Sequence, residues 1–383
     1  MICTKMSEVY EGLYDGPHAT PPVSNNGAIF LGISNITKDG HIDLTDIKYI
    51  SEEDLPKWTK RVTPQAGDIV FSYEATLNLY AIIPEGFRGC LGRRMALIRP
   101  DEKKAHGKYL YYYFFSPEWR KTVAENTIVG ATVDRIPIAK FPDFPICLPD
   151  IRIQKRVADI LSKYDELIEN NQKQIILLEE AAKRLYEEWF VNYKFPGYEN
   201  CKILDGIPNG WKIIPIDDVY EIKYGKTLPT SKISKSGKYP VYGANGVIGY
   251  YSEKNVDEIV TLITSRGNGS GDVLRTHHNE AFVTNNSFIV KGRMDYLKMP
   301  FSFELMLHTN FKGVCTGSAQ PQLTNNSINT INIVVPEESI IKQYNTVTEK
   351  WFEKIEILLT QNIKAMEARD RLLPKLMSGE IEV

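Results

Sequence analysis

Two long stretches of the chain carry apolar residues at intervals of three and four, the spacing of a helix that packs along one face. Such heptads are typical of helices that pair in a coiled coil. The first stretch starts after Pro149, with seam positions at Ile153, Val157, Ile160, Tyr164, Leu167, Asn171, Ile175, Leu178, Ala182, Leu185 and Trp189. The second starts after Pro336 and uses Ile340, Tyr344, Val347, Trp351, Ile355, Leu358, Asn362 and Met366. The pattern predicts two long amphipathic helices.

Single residues indicate the ends of these helices and one irregularity. Asp150 suits the N-cap of the first helix, and the Pro196-Gly197 pair ends it. An extra step of four at Asn171 predicts a stutter in the first seam. Pro374 is expected to stop the second helix near Leu373, because proline lacks the backbone N–H that a helix interior needs.

The rest of the chain alternates short β-rich runs with Gly, Pro and Asn turns, which is typical of mixed α/β domains. Strands are predicted at 28–33, 68–72, 79–83 and 95–98 in the first half, and at 210–211, 240–242, 249–251, 259–263 and 288–290 in the second. The aromatic run 109–115 is predicted to be a helix that packs on the first sheet.

The chain also repeats itself at an offset of 187 residues. Gly130, Pro149, Lys155, Arg184 and Leu185 recur as Gly317, Pro336, Lys342, Arg371 and Leu372. A repeat of half the chain predicts two equivalent globular domains, each followed by one of the helices, and the helices should then pack antiparallel. The predicted fold is α+β, with domains at 1–149 and 199–336 and helical segments at 150–198 and 337–383.

Composition limits the class of protein. The chain has 383 residues, a net charge of −2 and 43% hydrophobic residues, which is ordinary for a soluble globular protein. The five cysteines include no CxxC pair, so neither a zinc site nor a disulfide framework is expected. No apolar run is long enough to span a membrane, and no signal peptide is evident. We therefore expect a cytoplasmic protein without membrane contact.

A search for catalytic motifs argues against an enzyme. The cofactor loop and the Asn/Asp-Pro-Pro-Tyr motif of amino-methyltransferases are absent. A P-loop would end at Gly225-Lys226-Thr227 but requires glycine at 220, where the chain has Tyr220. The adjacent His277 and His278 would point to opposite faces of a strand, so a metal site is not expected.

Basic residues form local clusters that suit phosphate contacts. Five lysines and several hydroxyl side chains lie within 223–238, a stretch without acidic residues. Lys57, Lys60 and Arg61 form a second cluster, and Arg88, Arg93, Arg94 and Arg99 a third. A solvated surface without any ligand explains these charges equally simply, so charge alone leaves nucleic-acid binding open.

The order of several short motifs resembles the specificity subunits of type I restriction-modification systems. The first half carries DGPHATP at 15–21, GISNI at 32–36, ISEE at 50–53 and GDIV at 67–70. The second half carries PNGW at 208–211, GKT at 225–227, YPVYGANG at 239–246 and VTNN at 283–286. Residues 185–190 and 372–381 are similar to the ends of that family's spacer helices. The resemblance covers nearly the whole chain.

The resemblance implies a function as well as a fold. Two target-recognition domains would each read half of a bipartite sequence in double-stranded DNA, and the helices would set the gap. Two methyltransferase (modification) subunits would dock on the chain, and a restriction subunit that translocates DNA would join them. The methyltransferase subunits would bind S-adenosylmethionine, so no cofactor is expected in this chain.

The shared motifs are expected to serve folding, and the loops between them to read DNA. The candidate DNA-binding residues are Lys57, Lys60, Arg61, Tyr73, Thr76, Asn78, Arg93 and Arg94 in the first domain, and Lys226, Thr230, Ser231, Lys232, Lys235, Lys238, Arg266, Asn268 and Ser270 in the second. Among them, Arg would suit guanine and Asn would suit adenine by bidentate geometry. The candidate docking residues for partner subunits are Trp189, Phe190, Trp351 and Phe352, for which helix packing is an equal alternative.

One departure from the repeat concerns the start of the chain. The second domain has a predicted strand at 212–216 before Val219, whereas the first domain begins almost at the equivalent of Val219. Its leading strand is therefore expected to be missing, through a late start or a truncation. Two other functions stay open: a coiled-coil adaptor that binds proteins, and a decayed orphan specificity subunit. A self-sufficient methyltransferase or nuclease would need a motif that the chain lacks.

Overall fold

The computed structural model describes residues 2–130, 133–317 and 320–383. The chain divides into two compact units. Unit 1 comprises Met1–Glu169 with Ile363–Val383, and unit 2 comprises Asn170–Asn362. No helix in the described ranges is long and apolar enough to cross a membrane.

In its described residues, unit 1 contains nine strands, and three short helices precede the first long helix. The strands are β1 (Ile2–Lys5), β2 (Tyr10–Asp15), β3 (Ala28–Leu31), β4 (Lys48–Ile50), β5 (Ile69–Ser72), β6 (Tyr80–Ile82), β7 (Gly89–Leu91), β8 (Met95–Pro100) and β9 (Pro145–Leu148). The helices are α1 (Leu55–Trp58), α2 (Gly107–Tyr113), α3 (Pro117–Asn126) and the long α4 (Ile151–Tyr186). An aromatic core around Trp119 joins α2 and α3 to the sheet, and the Trp119 indole donates to the Tyr80 hydroxyl over 2.9 Å.

Unit 2 holds the second half of α4 and the following elements. Its strands are β10 (Ile203–Leu204), β11 (Ile207–Pro208), β12 (Lys212–Pro215), β13 (Tyr220–Tyr224), β14 (Tyr239–Gly243), β15 (Gly246–Tyr251), β16 (Thr261–Thr264), β17 (Val273–Arg275), β18 (Phe282–Val283), β19 (Ser287–Gly292) and β20 (Asn332–Val335). Its helices are α5 (Ile216–Val219), α6 (Met299–Leu307), α7 (Asn325–Ile328) and α8 (Glu338–Ser378), whose residues from 363 onward belong to unit 1.

The sheets of the two units have the same topology, which confirms the predicted repeat. Unit 1 has sheets in the order β2-β8-β5-β6, β4-β3-β7 and β1-β9. Unit 2 has β13-β19-β16-β17, β15-β14-β18 and β12-β20 in the corresponding places, together with the β10-β11 hairpin. In both, one pair is parallel: β3 with β7, and β14 with β18.

The offset of the repeat is not constant, contrary to the prediction. It is 187 for Leu148 and Val335, which pair with the first residues of β1 and β12. It is larger for Ser72 and Thr264, which pair with the first residues of β8 and β19. The offset changes because the loops between equivalent strands differ in length.

The leading strand predicted to be missing from the first domain is present. Strand β1 pairs antiparallel with β9 from Ile2 opposite Leu148, as β12 pairs with β20 from Lys212 opposite Val335. The sequence prediction was wrong because the equivalent of Val219 is Val9, which follows a 3-10 turn at Met6–Glu8.

Strand β1 also carries a disulfide that the cysteine pattern does not indicate. Cys3 and Cys147 are opposite each other in the β1-β9 ladder and form a disulfide. The two residues are 144 positions apart in the chain, so spacing alone could not reveal the pair.

Most predicted strands coincide with observed ones, and the predicted helix at 109–115 coincides with α2. The strand predicted at 210–211 is wrong. Gly210 has a φ of +91° and lies in the turn between β11 and β12. Its conformation is left-handed, which breaks the extended geometry of a strand.

Helix α4 begins as predicted, but its seam is regular. The Asp150 carboxylate accepts a hydrogen bond from the Arg152 backbone N–H over 2.9 Å and caps the helix. Leu167 is 43% exposed, whereas Leu161 and Ile168 are buried. The buried or half-buried seam is therefore Val157, Leu161, Tyr164, Ile168, Asn171, Ile175, Leu178, Ala182, Leu185 and Trp189. It alternates steps of four and three throughout, so the predicted stutter at Asn171 is wrong.

Helix α8 differs from the prediction at two places. Val347 is 40% exposed, and Thr348 is buried instead. The helix also continues through Pro374 to Ser378. Leu373, Leu376 and Met377 are buried in the core of unit 1 with Val157 of α4, and this burial stabilises the turn in which proline removes one hydrogen bond.

Within unit 2 the two long helices pack antiparallel, as predicted. The Tyr344 hydroxyl donates to the Ala182 carbonyl over 3.0 Å, near the end of α4 and the start of α8. The Asn171 amide donates to the Asn362 side-chain oxygen over 2.9 Å. This second contact lies nearer the start of α4 and nearer the end of α8 than the first, so the helices run in opposite directions. Ile175, Ile355 and Leu358 form the apolar cluster between these two contacts.

Candidate nucleic-acid interface

The same arrangement of four segments occurs at one end of the four-stranded sheet in each unit. In unit 1 the segments are the start of the loop after β2 at Gly16, the β7–β8 turn at 92–95, the β5–β6 loop at 73–79 and residues 128–130 with 133–136; we call them loop cluster 1. In unit 2 they are the residues after β13 at 225–227, the β18–β19 turn at 284–287, the β16–β17 loop at 265–272 and residues 316–317 with 320–323; we call them loop cluster 2.

Matched backbone hydrogen bonds fix the two clusters in the same way. In unit 1 the backbone N–H groups donate to carbonyls as follows: Gly16 to Met95 (2.7 Å), Gly92 to Leu31 (2.7 Å), Tyr73 to Arg94 (3.2 Å), Met95 to Gly92 (3.1 Å) and Ile136 to Tyr73 (2.7 Å). In unit 2 the corresponding bonds, in the same order, are Gly225 to Ser287 (3.0 Å), Thr284 to Tyr242 (2.9 Å), Ser265 to Asn286 (2.8 Å), Ser287 to Thr284 (3.1 Å) and Leu323 to Ser265 (2.9 Å). Equivalent positions can therefore be assigned residue by residue although the side chains differ.

A close approach of two backbones explains one glycine in each cluster. A Cβ atom at Gly16 would lie 2.1 Å from the Gly92 carbonyl oxygen. A Cβ atom at Gly225 would lie 2.4 Å from the carbonyl oxygens of both Val283 and Thr284. Both glycines belong to motifs on which the family resemblance depends, and their role is to let the first two segments of the cluster touch.

Loop cluster 1 gathers several of the predicted DNA-binding residues, most of them engaged within the protein. Arg61 forms an ion pair with Asp15 and donates to the Gly16 carbonyl over 3.2 Å. The Tyr73 hydroxyl, whose pKa is raised by burial, donates to the Arg93 carbonyl over 3.0 Å. The Arg94 guanidinium lies 3.5 Å from the Glu74 carboxylate.

Loop cluster 1 contains three other candidates, Thr76, Asn78 and Arg93. Thr76 is exposed at the tip of the β5–β6 loop, and the Asn78 side chain accepts a hydrogen bond from Tyr80 over 3.1 Å. Arg93 is exposed, and its side chain has no hydrogen bond or ion pair with any residue in the described ranges. Of these side chains, only those of Thr76 and Arg93 are both exposed and unengaged.

The remaining unit 1 candidates belong to a different element. Lys57 lies on α1 and Lys60 just after it, and both are exposed. The Lys57 ammonium is 5.8 Å from the centre of the Trp58 ring. Trp58 packs on a small core beneath β3 and β7, so Arg61 is the member of this basic group that contacts loop cluster 1.

Loop cluster 2 brings together Lys226, Arg266 and Asn268, all three exposed. The fourth candidate of its β16–β17 loop, Ser270, is buried, and its hydroxyl donates to the Pro321 carbonyl over 2.6 Å. Ser270 therefore cannot read DNA from this position. Its hydroxyl links Pro321 to the β16–β17 loop.

The lysine-rich segment of unit 2 is anchored at its centre and exposed on both sides. Ser234 and Tyr250 exchange two backbone hydrogen bonds of 3.0 and 2.9 Å. Around this anchor the exposed candidates are Thr230, Ser231, Lys232, Lys235 and Lys238. Among the described residues, Lys226, Lys232 and Lys235 have no acidic partner, whereas Lys223 pairs with Glu221. The Lys238 ammonium lies 4.9 Å from the centre of the Tyr239 ring and is attracted by Glu280. The segment therefore presents uncompensated positive charge at Lys226, Lys232 and Lys235.

The predicted docking residues do not form an exposed surface. Phe190 is 7% exposed and packs against Phe301 and Tyr344 at ring-centroid distances of 5.1 and 5.3 Å. Phe352 is 3% exposed and lies under the Arg275 guanidinium at 4.9 Å. Both phenylalanines are buried within unit 2, which agrees with helix packing, the alternative to docking.

The two tryptophans of that prediction are half-buried. Trp189 makes edge contacts with Phe190 and Tyr344 at ring-centroid distances of 6.2 and 6.0 Å. Trp351 precedes the buried Phe352 on α8, and its docking role stays a prediction.

The histidine pair contacts Tyr242 and Glu356, with His277 exposed and His278 half-buried. His278 Nδ1 is 2.9 Å from the Tyr242 hydroxyl, and burial lowers the pKa of His278. His277 Nδ1 is 3.5 Å from the Glu356 carboxylate. Among the described residues, no group of three or more His, Cys, Asp or Glu side chains is placed to hold a metal ion.

Sequence reasoning missed Asn285 and Asn286, the central residues of the β18–β19 turn. Both belong to the VTNN motif, which is expected to serve folding. The matched hydrogen bonds make Asn285 the equivalent of Arg93, and Asn286 the equivalent of Arg94. The sequence could indicate this role only by aligning Asn285 and Asn286 with the Arg93-Arg94 pair. A constant offset of 187 residues does not give that alignment, because the offset is larger in this region.

The comparisons with known proteins agree with this duplicated architecture. A family model described as the type I restriction modification DNA specificity domain matches twice, at residues 22–180 and 208–365. The chain is 24% identical to the type I restriction enzyme MjaIX specificity subunit of Methanocaldococcus jannaschii, over 99% of this chain and 89% of that protein. It is 21% identical to the HindI specificity subunit of Haemophilus influenzae, over 89% and 91%.

A solved structure shares the fold. The crystal structure of a type I restriction-modification S subunit from M. genitalium superposes with a TM-score of 0.59 at 16% identity, covering 98% of this chain and 95% of that one. The two matches of the family model together span well over half of the sequence. The chain therefore belongs to the family of type I restriction-modification DNA specificity subunits.

Proposed function

We propose that this chain reads both halves of a bipartite DNA sequence for a type I restriction-modification complex and has no catalytic step of its own. Loop cluster 1 reads one half-site, and loop cluster 2 with the adjoining lysine-rich segment reads the other. The observation that supports this most is that one backbone scheme occurs twice with different exposed side chains. The backbone of the two loop clusters is thus the same, while the exposed side chains that would contact base edges differ.

The proposed partners carry the chemistry. Two methyltransferase subunits dock on the chain, bind S-adenosylmethionine and methylate adenine, and a restriction subunit that translocates DNA joins them. The complex acts on chromosomal DNA in the cytoplasm. The exposed lysines at 226, 232, 235 and 238 supply the contacts to DNA phosphates that hold the second domain in place.

The experiment is methylome sequencing of a methylation-free host that expresses this chain with a candidate modification subunit. The control is the same host with the modification subunit alone. We expect a new bipartite adenine-methylated motif only when the chain is present. A soluble complex with no new methylation and no salt-dependent DNA binding would contradict the proposal and favour an adaptor or a decayed subunit.

A further inference from the structure

We infer that Arg93 in unit 1 and Asn285 in unit 2 occupy the same base-reading position, and that they recognise guanine and adenine respectively. The inference rests on the proposed function, because it names which bases the two loop clusters read. It predicts that the two half-sites differ at one equivalent position in a defined way.

The first step is that the two turns are built alike. In each, the N–H of the fourth residue donates to the carbonyl of the first over 3.1 Å, in Gly92–Met95 and Thr284–Ser287. The first residue is held by a neighbouring strand, through Leu31 or Tyr242, at 2.7 and 2.9 Å. Arg93 and Asn285 are the second residues of these turns, so their Cα–Cβ bonds start from equivalent points of equivalent frames.

The second step is that both side chains are free to meet a ligand. Arg93 is exposed and Asn285 is half-exposed. The backbone of Asn285 is engaged, since its N–H donates to Lys226 over 3.1 Å and its carbonyl accepts from the Ser265 hydroxyl over 3.2 Å. The carboxamide of Asn285 and the guanidinium of Arg93 have no hydrogen-bond partner in residues 2–130, 133–317 and 320–383.

Arg94, unlike Arg93, is engaged within the protein. The Arg94 Nε atom is buried without a hydrogen-bond partner in the described structure, and its guanidinium lies against Glu74. Tyr73 then donates its hydroxyl to the Arg93 carbonyl. Arg94 and Tyr73 are therefore positioning residues for the turn, and Arg93 is the side chain that the turn presents.

The fourth step is the chemistry of the two side chains. A guanidinium donates two parallel hydrogen bonds to O6 and N7 of guanine, and a carboxamide both donates and accepts at N7 and N6 of adenine. Each such pair discriminates against the wrong base by roughly 5- to 150-fold. A lysine or arginine that only contacts phosphate changes affinity without changing the preferred base.

The test uses the complex with its modification subunit and compares methylated motifs. Arg93→Ala should relax one guanine of one half-site and leave the other half-site unchanged. Asn285→Ala should relax one adenine in the other half-site. The matched controls are Arg88→Ala, an exposed arginine paired with Glu52, and Asn326→Ala, an exposed asparagine on α7; both should keep the wild-type motif.

A second variant tests the equivalence directly. Arg93→Asn gives the unit 1 turn the reading residue of unit 2, so the preference at that position should move from guanine toward adenine. If an alanine variant methylates nothing, the variant complex is incubated with a pool of randomised DNA duplexes, and the selected sequences are compared with those of the wild type.

The outcomes separate the inference from the function on which it rests. A wild-type chain that directs no bipartite motif contradicts the proposed function. A wild-type motif that stays unchanged at every position in Arg93→Ala, Asn285→Ala and Arg93→Asn overturns the inference and leaves the proposed function intact. Relaxed positions that are neither guanine for Arg93 nor adenine for Asn285 overturn it as well.

Discussion

At the scale of single residues, the frame of each loop cluster depends on a glycine that touches a neighbouring carbonyl. A side chain at Gly16 has no room, because its Cβ would overlap the Gly92 carbonyl oxygen. At Gly32, in a nearby motif, a Cβ atom would have its nearest heavy atom 3.6 Å away, and φ is −94°. The two glycines therefore differ in what they tolerate although both belong to shared motifs.

We expect Gly16→Ala to lower the free energy of unfolding by about 1–3 kcal/mol, because the backbone must move to relieve the overlap. Gly32→Ala should change it by less than about 1 kcal/mol, and in the stabilising direction if anything. Urea unfolding of both variants measures the difference. Equal effects would mean that the close approach at Gly16 is not a constraint.

A second residue-scale feature is the buried carboxyl of Glu304 on α6. Burial raises its pKa to about 7, and one of its oxygens has no hydrogen-bond partner in the described part of the chain. The charged groups around it are Lys183 and Arg275, which lower the pKa, and Glu179 and Glu187, which raise it. The neutral acid is therefore the form that the fold prefers.

This carboxyl makes the stability of unit 2 depend on pH. The folded pKa lies above the unfolded value of 4.5, so the native state binds the proton more tightly and stability is lost as pH rises from about 4.5 through about 7. We expect unfolding free energy to fall by up to about 3 kcal/mol across that window. Glu304→Gln should remove this slope, and identical pH profiles for variant and wild type would contradict it.

At the scale of elements, the seam of the long helices contains one buried polar pair. Asn171 of α4 and Asn362 of α8 are both buried and hydrogen-bonded to each other. A polar pair at a seam position costs stability but specifies register, since a shifted pairing would leave each amide without a partner. The pair thus helps to define how the two helices align.

Asn171→Leu should cost about 1–3 kcal/mol of unfolding free energy, because it leaves the Asn362 amide buried without its partner. The double variant Asn171→Leu with Asn362→Leu should recover that loss or exceed the wild type, since apolar residues then fill the seam. Chemical denaturation of the three proteins measures this. A double variant that is as unstable as the sum of both single variants would refute the pairing argument.

At the scale of the whole molecule, DNA affinity and DNA specificity should depend on different parts of unit 2. Lys232 and Lys235 are exposed and lack acidic partners among the described residues, whereas Lys254 and Lys291 are paired with Glu280 and Glu258. A lysine that neutralises a phosphate releases counterions, and a lysine already paired with a carboxylate is less available for that contact.

The double variant Lys232→Ala, Lys235→Ala should weaken DNA binding by the assembled complex and reduce the slope of log K against log salt by about 2. The methylated motif should not change. The control variant Lys254→Ala, Lys291→Ala should leave the slope nearly unaltered. A changed motif with an unchanged slope would show that the lysines read bases instead of holding phosphates.

Much of this architecture could be predicted from local patterns. Heptads, strand periodicity and turn residues are short-range signals, and they located both long helices, most strands and the repeat. The errors arose where contacts with residues far away in the chain determine which side chain is buried. Leu167 fits a heptad as well as Ile168 does, and only packing determined which is buried. The sequence is compatible with a surface position for Phe190 and Ser270, but both are buried in the structure.

The sequence by itself therefore determined the duplicated domains, the paired helices and the family, because each is written in local spacing or in the order of motifs. The tertiary structure alone decided the Cys3–Cys147 pair, the presence of β1 and the equivalence of Arg93 with Asn285. All three depend on strands brought together over long separations with loops of unequal length. Register in a sheet is set by hydrogen bonds and burial across strands, and no local pattern records it.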